Sequence, residues 1–481
     1  MNEQQLHTIL QQEFGFDSFR PGQQEVIESV LNGNDTLAIL PTGAGKTLLY
    51  QFPAKVMDGV VIIISPLLSL MQDQVNRLRQ LGEKKVTMLS SIQTFGQQQA
   101  TLNHLNQFKY VFASPETITK PEVIQHLQRI EIAMIVIDEA HCVSQWGPEF
   151  RPQYLLVKTL LKTVPHKVTL MLTATATQRV QGDILIKLGL SVKQVTTVRQ
   201  SVNRPNIFLS VNKVNSDKDK RTELLGLVNG VSGAGIIYFS SRKQATQVAQ
   251  WLQEQTNLNV AAYHAGMNQT TRYKIQHQFM NDELQIICAT SAFGMGIDKD
   301  NVRFVVHYHV PANLENYVQE IGRAGRDGEQ SLAVLLYAPG DEYLQVNLSD
   351  LTIPSDAVVN DFMENRIDKN QLGDISNLLK FYQDQHLQPE QVINIFHQQR
   401  QKNRQQLDKL LEYINTLECR RSIILNYFSE NLLKHDLVCC DGLGNDLNIN
   451  QLELKQSNKK LVENELKSWQ SRLGKLFFVK S

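Results

Sequence analysis

The chain has 481 residues and a formal net charge of zero, 48 basic side chains against 48 acidic. At about 150 residues per domain this predicts roughly three domains, and zero net charge excludes polyanion binding by overall charge while leaving room for a local basic groove. Five scattered cysteines, Cys142, Cys288, Cys419, Cys439 and Cys440, are too sparse for a disulfide framework and, with no basic-plus-apolar leader at the start, point to a reducing, cytoplasmic setting.

From about residue 36 to 175, short apolar runs alternate with amphipathic stretches. The runs are DTLAIL, GVVIIIS, KVTMLS, YVFAS, AMIVID and KVTLMLTA, and LLSLMQDQVNRLRQL between them has helical spacing. Such alternation predicts a parallel α/β sheet with its functional loops at the carboxyl ends of the strands. The longest apolar run, Gly59 to Leu70, is broken by Ser65 and Pro66 and falls short of the about 20 residues a membrane helix needs. It reads as a buried strand, and no membrane partner is expected. The pattern repeats from about 206 to 337 with IFLSV, GIIYFSS, VAAYHAG, LQIICAT, RFVVHYH and LAVLLYA. The polar segment VRQSVNRPNI reads as the joint between two sheet domains. After about residue 341 the composition turns to Asp, Asn, Gln and Leu and predicts helices, densest over QQLDKLLEYINTLECRRSIILNYF.

Three stretches carry chemistry. LPTGAGKT, Leu40 to Thr47, follows a strand and precedes a helix former, the setting a phosphate-binding loop needs. Thr42, Gly43, Ala44 and Gly45 turn backbone N–H groups toward one anion, Lys46 adds a point charge and Thr47 a hydroxyl for magnesium. Leu40 stands where the strict pattern has its first glycine. AMIVIDEAH places Asp138 at a strand's carboxyl edge, where it can hold magnesium, with Glu139 beside it as general base for the attacking water. QEIGRAGRDG carries Gln319, Arg323 and Arg326, with the arginines on one face of a helical turn. If the second sheet domain closes on the first, Arg326 reaches the terminal phosphate as a finger.

TGAGKT, DEAH, LTATAT (Leu172–Thr177), YHAGM (Tyr263–Met267), ATSAFGMGIDKDNVRFVVHY (Ala289–Tyr308) and QEIGRAGRDG stand in the order of superfamily 2 helicases. With FGFDSFRPGQQEVI (Phe14–Ile27) and DEAHCVSQWGPEFRP (Asp138–Pro152), the chain resembles a RecQ-type DNA helicase, closely over residues 5–340 and more weakly to about 441. The resemblance implies an α/β fold of two RecA-like parallel-sheet domains, 1–200 and 201–340. A small helical, zinc-module-like region, 341–445, and a lysine-bearing helical tail, 446–481, would follow. It implies that Phe16 and Arg20 sandwich adenine while Gln23 bonds its edge, and that Asp298 helps the second domain contact nucleotide. His141 and Thr173–Thr175 would couple the site to DNA. Trp146 and Phe150 offer faces for stacked bases, at about 1–3 kcal/mol each, and Arg151 a phosphate contact. The implied activity is ATP- and magnesium-dependent 3′-to-5′ DNA unwinding by a monomer on single-stranded and 3′-tailed DNA, in repair and recombination.

The sequence also departs from the family. Its zinc module has one cysteine on a long helix and three close together at two-residue spacings, but here only Cys419, Cys439 and Cys440 occur, the last two adjacent, with His435 and Asp441 off motif spacing. The expectation is a helical hairpin held by apolar packing, with Cys419 a buried small hydrophobe and zinc lost. About forty residues remain, too few for the winged-helix domain that carries the family's strand-splitting hairpin. In the tail, Leu461, Leu466, Trp469 and Leu473 are expected to pack a solvated helix. A DNA-binding ATPase that remodels without robust unwinding is therefore the competing reading. A third, an RNA helicase, is opposed by FRPGQ and QWGPEFRP.

Overall fold

The computed structural model describes residues 1–90, 92–144, 152–294, 299–367, 372–432, 439–442, 452 and 454. The six apolar runs of the first half all become parallel strands: β1 (Thr36–Ile39), β2 (Val60–Ile64), β3 (Val86–Leu89), β4 (Tyr110–Ala113), β5 (Ile132–Ile137) and β6 (Val168–Thr173). A seventh, β7 (Thr196–Arg199), completes the sheet in the order β3-β4-β2-β5-β6-β1-β7. β5 is buried along its whole length because helices cover both faces, which is why its sequence is uniformly apolar. The strand order brings the carboxyl ends of β1, β5 and β6 side by side.

The second lobe repeats this arrangement with β8 (Ile207–Lys213), β9 (Ala234–Tyr238), β10 (Val260–Tyr263), β11 (Ile286–Ala289), β12 (Val302–His307) and β13 (Ser331–Tyr337). All six are parallel, in the order β10-β11-β9-β12-β13-β8. Gly235 on β9 pairs with Phe304 on β12, and a Cβ there would overlap the Phe304 ring, which is buried over the bare backbone. Among the described residues no helix is long and apolar enough to cross a membrane.

Beyond residue 341 the described chain is helical, as expected, and the densest stretch spans two helices. Pro389–Asn415 ends at Thr416, whose ψ of 144° leaves the helical region, and Cys419 is the N-cap of Arg420–Tyr427. The upstream half of the long helix packs Val392 and Phe396 in a small core with Ile353 and Phe362, against which Leu155 and Leu156 of the first lobe rest. Its downstream half places Leu410 and Tyr413 in the core of the second lobe with Ile236 and Tyr317. The module therefore braces both lobes through apolar packing. Cys439–Asp441 lies along the edge strand β8: Leu209 N–H donates to Cys439 O at 3.3 Å and Asp441 N–H to Leu209 O at 3.0 Å. That covers a sheet edge otherwise open to pairing. The 446–481 tail, apart from Leu452 and Leu454, lies outside the described residues.

Gly235→Ala should destabilise the second lobe by about 1–3 kcal/mol through overpacking against Phe304. Urea unfolding followed by circular dichroism reads this as a lower midpoint; an unmoved midpoint would show that the Phe304 ring has room to shift.

Candidate active site between the two lobes

The phosphate loop leaves β1 beside β6, where Leu40 N–H donates to Thr173 O at 3.1 Å. Gly43 and Gly45 take φ of +87° and +69°, a backbone that favours glycine and turns consecutive N–H groups inward. Thr47 caps the helix Leu48–Val56, so the loop ends on a helix amino terminus. Gln23, 3% exposed, donates from Nε2 to Ala44 O at 2.8 Å, and its Oε1 accepts Arg20 N–H at 2.9 Å. The Arg20 guanidinium donates to Gly43 O. Arg20 and Gln23 thus already hold the loop from outside, and Phe16 is half exposed.

Asp138 follows the last residue of β5, and its N–H donates to Ile64 O at 2.9 Å. Burial, then the Glu139 carboxylate, raise it to about 7 against the pull of Lys46. Lys46 is itself pushed down by burial, opposed by Glu139 and Asp138. Glu139 adopts a φ of +47°, rare for a non-glycine residue, and its buried Oε2 has no hydrogen-bond partner. His141 Nδ1 lies 3.3 Å from that oxygen and 3.0 Å from Thr173 Oγ1. Burial lowers the His141 pKa, so a neutral imidazole joins the acidic motif to the end of β6. The Thr173 hydroxyl continues the link by donating to Thr175 O at 3.1 Å. Tyr154, fully buried, donates to Asp138 O at 3.3 Å. Thr47 and Asp138 offer hard oxygen ligands, and Glu139 lines the same cleft, a donor set that fits magnesium with its water.

The second lobe closes the cleft. Thr42, Gly43, Lys46, Thr47, Asp138 and Glu139 line one wall, and Gln319, Arg323 and Arg326 the other, around an open space of about 940 Å³. Arg326 packs on the phosphate loop, where a Cβ on Gly43 would stand 3.2 Å from its Cγ and Cδ. Arg323, 5% exposed, donates to Gly294 O. The arginines do not lie on a helix as the sequence suggested: Leu314–Ile321 ends first, and both sit on the turn that follows. Gly325 in that turn has φ +55°, which breaks helical repetition. Sequence reading missed Tyr50, Gln74 and Arg77, which also line the cleft. Ser65 does too, and its place after the strand run GVVIII was a usable signal. Trp146, Phe150, Arg151 and Asp298 lie outside the described residues.

The cysteines do converge, against the expectation that adjacent thiols could not. Cys419 Sγ is 3.7 Å from Cys439 Sγ and 3.8 Å from Cys440 Sγ, and all three are buried. Thiolates at about 2.3 Å from a tetrahedral zinc stand about 3.8 Å apart, so these three fit zinc. Convergence is possible because Cys440 bridges to β8 while Cys419 comes from a helix cap, so the bite is set by two elements rather than by spacing. Asp441 is no fourth ligand: Arg420, Ser210 Oγ at 3.0 Å and Val211 N–H at 2.6 Å occupy its carboxylate. His435 lies outside the described residues.

Because Asp138 is raised from the ordinary 3.8 to about 7, the fold favours its protonated form. The stability this contributes is complete below the ordinary value and is lost as pH rises through about 7. In ligand-free protein, raising pH from about 5 to about 8 should lower the melting temperature of the wild type relative to Asp138→Asn, and saturating magnesium nucleotide should close the gap. Parallel melting curves for the two proteins would contradict this.

Family models for the DEAD/DEAH box helicase, the helicase conserved C-terminal domain and the RecQ zinc-binding region match residues 20–183, 219–328 and 372–442. The chain is 38% identical to the probable ATP-dependent DNA helicase RecS of Bacillus subtilis, over 99% of this chain and 98% of that protein. It is also 38% identical to the ATP-dependent DNA helicase RecQ of Haemophilus influenzae, over 88% of this chain and 61% of that protein. Among solved structures, Mss116p bound to ssRNA and AMP-PNP aligns with a TM-score of 0.59 at 18% identity, over 89% of both chains. The Lhr helicase of Mycobacterium smegmatis aligns at 0.56 and 20%, over 84% of this chain and 56% of that one. At these identities the two structures speak for the fold alone, two RecA-like sheet domains. The near full-length match to RecS, together with the three family models, shows that this chain belongs to the RecQ-type helicases.

Proposed function

We propose that the chain is an ATP-dependent DNA helicase whose hydrolytic site is the cleft between the two lobes. The observation that carries this is the meeting of Lys46, Asp138 and Glu139 from one lobe with Gln319, Arg323 and Arg326 from the other. Lys46 and the loop N–H groups of residues 42–47 bind the phosphates, and Phe16, Arg20 and Gln23 receive the base. Thr47 and Asp138 would hold the magnesium ion that offsets phosphate charge. Glu139, which lines the cleft, positions the attacking water and takes its proton on the carboxylate. Arg323 and Arg326 stabilise charge on the transferring phosphoryl group, so hydrolysis requires the lobes to be closed. Gln319 completes that wall, and Asp298 serves the nucleotide from the same lobe. One chain supplies every part, which supports a monomer.

Trp146, Phe150 and Arg151 bind single-stranded DNA by stacking and phosphate contact. The described residues on either side of them are tied to the acidic motif: Ser144 N–H donates to His141 O at 2.9 Å, and Tyr154 to Asp138 O at 3.3 Å. A strand on the loop therefore pulls on Asp138–His141 directly. The domain limits 1–200, 201–340, 341–445 and 446–481 are adopted for this reading. The three thiols would hold zinc as a structural ion. Translocation runs 3′ to 5′, in DNA repair and recombination, and five buried free cysteines support a reducing, cytoplasmic compartment.

A 3′-tailed duplex with a labelled strand tests this reading. The protein should release the strand with ATP, and Lys46→Ala should lower the rate on the order of 10²-fold or more. Hydrolysis without strand release would favour the remodelling ATPase, and release only from a 5′ tail would overturn the polarity.

A further inference from the structure

The joint between the lobes contains a half-buried hydrogen-bonded structure that the catalytic reading does not use. Arg204 donates from Nη1 to Gly322 O at 2.9 Å and from Nη2 to Ala324 O at 2.8 Å and Gly325 O at 2.6 Å. These are carbonyls of the turn that carries Arg323 and, one residue on, Arg326. No helix continues there to satisfy them, so one planar guanidinium serves three acceptors in fixed relative orientation. Asn206 adds a bond from Nδ2 to Gly325 O at 2.8 Å. A lysine, with a single charged centre on a flexible stem, cannot reproduce that fork.

Arg204 is itself held. Arg421, 5% exposed, donates from Nη1 to Arg204 O at 2.8 Å and to Asn203 Oδ1 at 2.9 Å, and from Nη2 to Ile207 O at 2.6 Å. Its Nε reaches Cys439 Sγ at 3.1 Å. Glu430 secures the other end of the joint, accepting from Arg199 Nη2 at 2.8 Å and from Val202 N–H at 3.3 Å. The joint is therefore a clamped strap, tied on one side to the cysteine module and on the other to the arginine turn.

We propose that Arg204 is a positioning residue for ATP hydrolysis, its guanidinium, oriented through Arg421 by the cysteine module, fixing the turn that aims Arg323 and Arg326 into the cleft. This rests on the reading of Arg323 and Arg326 given above. An error of about 1 Å in that turn reaches the transition state but not the ground-state grip of the phosphate loop. Loss of Arg204 therefore acts on kcat and leaves KM for ATP in place.

The test is steady-state ATP hydrolysis by the full chain at saturating single-stranded oligonucleotide. Arg204→Ala and Arg204→Lys should each lower kcat about tenfold or more with KM within about twofold, and Arg421→Lys should lower kcat in the same direction by less. In an Arg323→Ala/Arg326→Ala background, adding Arg204→Ala should cost nothing further, since groups that act as a unit are non-additive. Losses that multiply, a change confined to KM, or wild-type kcat in both Arg204 variants would overturn the proposal. If Arg204→Ala does not fold, Arg204→Lys and Arg421→Lys decide it. Wild-type turnover by Arg323→Ala/Arg326→Ala would instead sink the catalytic reading on which the proposal rests.

Discussion

Two carboxylates buried side by side against one buried lysine are the constraint around which the molecule is arranged. Burial and the neighbouring Glu139 carboxylate raise Asp138, and the buried Lys46 offsets this only in part. In the proposed reading, a cation with its phosphates, and Arg323 and Arg326 of the second lobe, would supply the remaining balance. Neither lobe is electrostatically complete by itself. That incompleteness makes an opening and closing pair of lobes responsive to what is bound between them.

The rest of the fold controls how the second lobe presents its arginines. The long helix Pro389–Asn415 is shared between a small core resting on the first lobe and the main core of the second. A buried run of polar contacts continues the brace: Tyr317 Oη meets Tyr413 Oη at 3.0 Å, and Arg420 donates to Tyr413 O at 2.7 Å while pairing with Asp441 beside the thiols. His307 Nε2 meets Glu320 Oε2 at 2.7 Å on the helix that carries Gln319. The cysteine module is thus wired into the lobe that carries the arginines, and a zinc ion on its thiols would stiffen the wiring.

Most of this architecture was legible because parallel strands buried on both faces need unbroken apolar runs, which stand out from amphipathic helices. All twelve predicted strand runs are strands. The strand that escaped notice, Thr196–Arg199, is an edge: its two threonines are exposed, so it looked like linker. The phosphate loop and the acidic motif were readable because their chemistry fixes residue types at short spacing. The arginine turn was readable as chemistry but not as geometry, because its non-helical carbonyls are met by Arg204, distant in sequence. The cysteine cluster was legible as residues but not as geometry, for the same kind of reason. Spacing rules describe ligands from one loop, and here a helix cap and an edge-strand bridge set the distances. The roles of Trp146, Phe150, Arg151 and Asp298 rest on resemblance, since they lie outside the described residues.

The central claim is that hydrolysis occurs in a cleft completed by both lobes, and that a DNA strand lying across them promotes completion. The most direct measurement is the rate of phosphate release at saturating ATP as a single-stranded oligonucleotide is titrated in. The account predicts a rate that climbs severalfold and saturates, with the climb abolished in Arg326→Ala. A rate unchanged at every oligonucleotide concentration would contradict it.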